Sequence, residues 1–222
     1  MPETENLTNF YRTLLTVCTK WFLLYFVWNL TEGPNGDLWK GRAICMKNEV
    51  LTALQNRRSC RSYEDRQPDP AALEAVVNAA LWAPSGMGRQ STVIVVVQDP
   101  ATVRKLSAMN AAVMGRDGDP FYGAPCVAVV LVDRTVSTCV EDGSLAMGNL
   151  LNAAESVGLS GCWIHRAKEM FDSHEGKALL NEWGVPNAEN LMGVGNCILG
   201  YAAPGGKKPA APRREGRVVY VK

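Results

Sequence analysis

Histidine is scarce in this chain: two residues, His165 and His174, among 222. That scarcity removes most of the usual catalytic constellations. No Ser-His-Asp or Cys-His arrangement can be assembled with a defensible partner set. Zinc is equally poorly served, because the seven cysteines are scattered as Cys18, Cys45, Cys60, Cys126, Cys139, Cys162 and Cys197, without close-paired ligand spacing. Several lie in apolar runs, where a thiol acts as a small hydrophobe, and a reducing, cytoplasmic setting is expected. Net charge is nearly absent as well, at +1, so no long-range field favours nucleic acid or an acidic membrane. The Gly193-x-Gly195-x-x-x-x-Gly200 stretch lacks the spacing of a dinucleotide fingerprint and runs along a strand pattern instead of into a helix. What remains is a chain of 47% apolar and 20% charged residues, the balance of a packed globular protein.

A long uninterrupted apolar run is also missing. Leu14 to Leu30 is apolar and aromatic, but Lys20 sits near its middle, and a spanning helix needs roughly 20 apolar residues. Gly33-Pro34-Asn35-Gly36-Asp37 then breaks the chain, and Met46 onward reads as an independent start. Residues 1–45 are therefore read as an N-terminal extension and 46–222 as the functional domain. Three readings of the extension stand: an appended stretch outside the core fold, a helix packed on the surface or on a partner copy, or a membrane contact through residues 14–30, which is the least favoured.

Beyond Met46 helical and strand patterns follow one another. Val50–Asn56 reads as a short amphipathic helix and Pro70–Trp82 as a second, with Pro in its first turn. Ser91–Gln98 is a β-branched run expected as a buried strand, followed by a helix from Ala101 to about Val113. Pro125–Val132 is a second strand, Thr135–Val157 a long helix rich in small residues that stops at Gly158, and Leu159–Ile164 a third strand. A helix is expected over His174–Trp183, then strands over Leu191–Tyr201 and Arg217–Val221. Such alternation makes a layered α/β or α+β domain. Met109 to Tyr122, ending in Phe121 and Tyr122, is a candidate lid.

Two segments carry chemistry. Arg57-Arg58-Ser59-Cys60-Arg61-Ser62-Tyr63 crowds three guanidiniums and two serine hydroxyls into seven positions. Arg offers a planar fork of donors that matches phosphate oxygens, so this turn suits a phosphate monoester. Ala83-Pro84-Ser85-Gly86-Met87-Gly88-Arg89-Gln90 is short, polar and glycine-bearing, and it lies between a helix and a strand, where a planar ligand can approach the backbone. Together they suggest a nucleotide-like cofactor.

These two segments, with Asp142-Gly143-Ser144-Leu145-Ala146-Met147-Gly148-Asn149 running on to Gly158-Leu159-Ser160-Gly161-Cys162-Trp163-Ile164, and with Gly200-Tyr201 followed by Pro212-Arg213-Arg214, resemble the flavin-dependent nitroreductase family over Met46 to Lys222. The resemblance implies an α+β, three-layer fold with a mostly antiparallel central sheet flanked by helices. It implies a homodimer with FMN at the interface and NADH or NADPH as co-substrate. It also implies hydride transfer through flavin N5 to a small electron-poor acceptor, a nitroaromatic or quinone, in a ping-pong cycle. On this reading Arg57, Arg58, Ser59 and Arg61 hold the phosphate with Arg213 or Arg214. Pro84, Ser85, Gly86 and Gln90 lie along the ring or ribityl chain, and the Gly161-Cys162 backbone approaches the redox-active edge. Asn149 matches a position near the dimer interface and has no assigned catalytic role.

The chain departs from many relatives at Gly88, where they carry Asn, and at Gln90-Ser91-Thr92, where they carry Gln-Pro-Trp. Substrate choice is thus left open, and the alternatives are a flavoprotein with another acceptor (ene-reductase-like or dehalogenating) or a flavin-binding sensor without turnover. Taken singly, the Arg turn also reads as a solvated helix end. His165 reads as a structural histidine, Cys162 as a packing residue, and Trp82 and Trp163 as core.

Overall fold

The computed structural model describes residues 48–222, so the expectations for the extension and for Met46 and Lys47 lie outside the described residues. Ten regular elements follow. Helix α1, Glu49–Asn56, starts at Asn48, whose side chain accepts from the Leu51 N–H. Helix α2, Pro70–Leu81, has Pro in its first turn and Asp69 accepting from the N–H groups of Ala71 and Ala72. Then come β1, Thr92–Val97, and α3, Pro100–Met114, which ends at Gly115 in the left-handed region. Strand β2, Cys126–Asp133, leads to α4, Cys139–Ser156, and to β3, Ser160–Ile164. Helices α5, Ala167–Asp172, and α6, His174–Glu182, precede β4, Leu191–Gly200.

The strands form one sheet in the order β1-β2-β4-β3, with every pairing antiparallel. Alternation along β2 divides the core in two. Val127, Val129 and Leu131 join Leu106 of α3, Phe171 of α5 and Leu180 of α6 on one face. Cys126, Ala128 and Val130 join Val76 of α2 and Met147 and Leu150 of α4 on the other. All eight residues of β2 but Asp133 are buried, as a strand covered on both faces requires. The result is the expected α+β arrangement of three layers, helices on both sides of an antiparallel sheet.

Several local expectations are corrected. Arg217–Val221 forms no strand; Val218 through Val221 are exposed, because β-branched propensity needs a sheet edge to pair with. The supposed lid begins inside a helix, since Met109–Met114 complete α3, and its remainder from Gly115 to Tyr122 is loop. The long helix begins at Cys139 instead of Thr135, because the Asp133 carboxylate accepts from the Thr135 N–H and hydroxyl and holds a turn there. Helix α5 had no counterpart in the sequence reading; six residues give too short a period to read. Trp82, at 87% exposed, and Trp163, at 37%, are not core residues.

Candidate functional site

The Arg turn is clamped between an edge strand and the segment after β4. The Cys60 N–H donates to the Gly161 carbonyl (3.1 Å), and the Arg61 N–H donates to that of Gly206 (2.9 Å). Cys60 pairs with Lys207 and Tyr63 with Ala202 as isolated antiparallel bridges. The Tyr63 hydroxyl closes the turn on the Cys60 carbonyl at 3.0 Å, and burial pushes that phenol well above its ordinary range. Gly200-Tyr201 is explained here without a ligand. A Cβ at Gly200 would lie 2.9 Å from the Tyr63 ring, and the Arg66 guanidinium sits 3.3 Å over the Tyr201 ring.

With its backbone fixed, the turn leaves its donors available. Arg58 turns one terminal nitrogen onto the carbonyls of Gln55 and Arg57, 2.7 Å each. Among the described residues no carboxylate ion-pairs with Arg57, Arg58 or Arg61. Arg61 and Cys162 line the same cavity, of about 410 Å³, together with Met114, Tyr122, Trp163, His165 and Arg166. Its wall also carries Asp117 and Asp119. His165 is exposed on that wall. Cys162 is 3% exposed.

Gly161 has a packing reason to be glycine. A Cβ there would meet Leu151 Cδ2 at 3.1 Å and the Ile198 carbonyl at 3.3 Å, so the missing side chain makes room for α4 and β4. Arg213 and Arg214 stand on an exposed tail, Arg213 donating to the Ala211 carbonyl. The basic residue that pairs with the turn is Lys207, whose ammonium bonds Glu155 at 2.7 Å. The sequence reading passed over it because it sits in a Pro/Ala/Lys-rich stretch with no pattern.

The Pro84–Gln90 segment is organised around a buried carboxylate. Asp142, in the first turn of α4, accepts from the Gly86 N–H (2.9 Å) and the Ser91 hydroxyl (2.8 Å). The Gly86 hydrogen bond leads in holding its pKa below the usual carboxylate range, with Ser91 and Thr138 adding to it against the desolvation of burial. Gly86 is tight for a different reason than a ligand: a Cβ would fall 2.1 Å from Thr138 Oγ1. Ser85 Oγ accepts from the Gln90 N–H at 3.0 Å, and Met87, Gly88 and Gln90 all adopt positive φ. Asn149 donates to the Ala79 carbonyl and so ties α4 to α2.

The sequence reading also missed Asn110. It is fully buried on α3, donates to the His165 carbonyl (2.8 Å), and accepts from Arg166 Nε (3.1 Å), so it fixes the loop that follows β3. A lone polar residue on an otherwise ordinary helix gives no periodic signal.

An antiparallel four-stranded sheet covered on both faces, with an arginine-rich turn clamped to its β3 edge, makes a three-layer α+β domain with a basic corner at one edge. The Nitroreductase family model matches residues 54–128. A relative from Archaeoglobus fulgidus, named as an NADH dehydrogenase/NAD(P)H nitroreductase, is 31% identical over 161 residues, covering 69% of this chain and 85% of that protein. Among solved structures, a nitroreductase with bound FMN from Bacteroides fragilis superposes with a TM-score of 0.73 at 28% identity, covering 79% of this chain and all of that one. One from Desulfitobacterium hafniense, also with FMN, gives 0.71 at 28%, with 80% and 100% covered. The chain belongs to the nitroreductase family.

Proposed function

We propose that this protein is an FMN-dependent oxidoreductase that uses NADH or NADPH to reduce a small electron-poor acceptor, a nitroaromatic or quinone. The observation that carries it is the 410 Å³ cavity shared by Arg61 and Cys162, beside a turn whose guanidiniums meet no carboxylate among the described residues. That donor set fits a phosphate monoester dianion. Arg57, Arg58, Ser59 and Arg61 hold it, with Arg213 or Arg214 added from the tail. Pro84, Ser85, Gly86 and Gln90 flank the ring system or ribityl chain, and Gly161 and Cys162 approach its reactive edge. FMN supplies the two-electron chemistry that no side chain offers. The chain's own part is binding, orientation and access. Trp163 and Tyr122 give the pocket flat walls, and donor and acceptor occupy it in turn.

The two binding segments support a homodimer. Thr92 at the start of β1 pairs with Val132, and Val132 with Met192, whereas Gly161 pairs with Leu199. β1 and β3 are opposite edges of the sheet. Three strand spacings across and some seven residues along separate the segments by about 27 Å, more than one FMN spans. A second copy brings the Pro84–Gln90 segment of one chain to the Arg turn of the other. Leu81 and Trp82 at the end of α2, with Val140 and Leu145 of α4, are exposed apolar residues suited to that contact. Residues 46–222 make up this functional domain, and 1–45 are an appended extension. Among the described residues no helix is long and apolar enough to cross a membrane. The five described cysteines are buried free thiols, in keeping with the reducing, cytoplasmic setting we propose.

The test is anaerobic. Purified protein reconstituted with FMN should be yellow, bleach with NADH or NADPH, and recolour with a nitroaromatic or quinone. Bound FMN that nicotinamide leaves oxidised would point to a sensor, and failure to retain FMN would overturn the reading. Sedimentation should give a dimer with two FMN, and Trp82→Glu should yield monomers that shed it.

A further inference from the structure

We infer that Arg166, pinned by the buried Asn110, is a specificity-determining residue that gives this pocket a docking point for a carboxylate on the electron acceptor. The inference rests on the oxidoreductase reading for the word acceptor, and on the cavity itself for the rest.

Arg166 follows β3 and adopts φ 74° and ψ 10°, the left-handed region in which a side chain other than glycine carries strain. Glycine would sit there at no cost, so the guanidinium is retained against a backbone preference. It is also held. Arg166 Nε donates to Asn110 Oδ1 at 3.1 Å, while Asn110 Nδ2 donates to the His165 carbonyl at 2.8 Å and to Met170 Sδ at 3.2 Å. One fully buried amide therefore fixes both the loop and the head group it carries. Among the described residues, Nη1 and Nη2 of Arg166 have neither a hydrogen-bond acceptor nor a carboxylate. Two parallel N–H donors with fixed orientation are the geometry that recognises a carboxylate bidentately.

The other charges on the wall do not cancel this. Arg61 belongs to the phosphate turn. The Asp119 carboxylate is occupied by the Ser107 hydroxyl, the Phe121 N–H at 2.9 Å and the Gly123 N–H at 2.6 Å. Asp117 is exposed on the loop after α3. Trp163 and Tyr122, both partly exposed, supply flat apolar surface, and Tyr122 is itself left-handed at φ 54°. Flat walls with one fixed, unpaired fork fit an electron-poor aromatic acid better than its neutral counterpart.

The test compares benzoate with benzamide, equal in shape and different in charge, by calorimetric titration of the full chain with and without added FMN. Wild type should bind benzoate more tightly. Arg166→Gly should weaken benzoate about tenfold or more and leave benzamide within about twofold. Its melting temperature should change little, because relief of the left-handed backbone offsets loss of the Arg166–Asn110 hydrogen bond. Arg166→Lys, which keeps charge but loses the fork and the Asn110 bond, should fall between. With FMN bound, kcat/KM for 4-nitrobenzoate over 4-nitrobenzamide should drop by the same factor in Arg166→Gly. Equal wild-type affinities, or a benzoate preference that survives Arg166→Gly, would overturn the inference. Failure to bind FMN would instead strike the oxidoreductase reading, while the benzoate comparison still decides the role of Arg166.

Discussion

The Arg57–Arg61 turn and the Pro84–Gln90 segment both carry hydrogen-bonding groups, yet they use them in opposite ways. The turn satisfies its backbone against Gly161 and Gly206 and leaves its guanidiniums without carboxylates among the described residues. The Pro84–Gln90 segment turns its polar groups inward, onto the Asp142 carboxylate and Ser85 Oγ. Its left-handed residues Met87, Gly88 and Gln90 are what it presents outward. On the proposed reading the first region grips an anion, while the second holds a backbone shape. Substitutions in the first should therefore alter ligand affinity with little change in folding, and substitutions in the second should alter folding first.

The largest effect is expected at Gly86. Alanine would place a methyl 2.1 Å from Thr138 Oγ1, and relieving that overlap means shifting the strap off Asp142. We expect Gly86→Ala to lose about 3 kcal/mol in chemical denaturation. A variant as stable as wild type would show that the strap yields freely, and the contrast with the turn would lose its basis.

Next comes the turn. Arg58→Ala or Arg61→Ala should weaken FMN binding by about 1.5–3 kcal/mol, the worth of a hydrogen bond to a charged group, with the apoprotein melting unchanged. Fluorescence titration of FMN against each variant reads the first quantity and calorimetry the second. Unchanged affinity in both variants would remove the phosphate assignment.

Asp142 tests the second region from the acid side. Its pKa is depressed in the folded state, chiefly by the Gly86 N–H. Its contribution to stability is therefore complete above the unfolded carboxylate value of about 3.9 and is lost as pH falls through the lower folded value. Asp142→Asn should cost about 1–2 kcal/mol at neutral pH, and the gap to wild type should narrow as both are unfolded at progressively lower pH. A gap that stays constant down to acid unfolding would mean the carboxylate's charge plays no part.

How much of this the residues announce depends on whether the determining contact is local. β2 is legible because a doubly covered strand is apolar along nearly its whole length, and the Arg turn because its donors are consecutive. Helix boundaries shift where a side chain competes for the backbone, as Asp133 does at Thr135. Non-local contacts were not legible. The packing at Gly161 and Gly86 is one example, since the neighbours that need the room include Ile198 and Thr138. Asn110 and Lys207 likewise depend on partners dozens of residues away, His165 and Glu155. Arg217–Val221 has strand composition but pairs with neither edge of the described sheet, so propensity alone misled.

The smallest effect separates clash from conformation inside the same strap. Gly88 has nothing within 4 Å of an added Cβ, but its φ is +67°. Gly88→Ala should thus cost only the left-handed penalty, about 1 kcal/mol, against the larger loss at Gly86 two residues away. Gly88→Asn should cost less still, because asparagine tolerates that region best among side-chain-bearing residues. If Gly88→Asn leaves stability intact and changes FMN affinity, position 88 faces the flavin and the strap does more than hold its shape. If it changes neither, the segment's part in the site lies with its backbone and with Ser85 and Gln90, and the division of labour between the two regions stands.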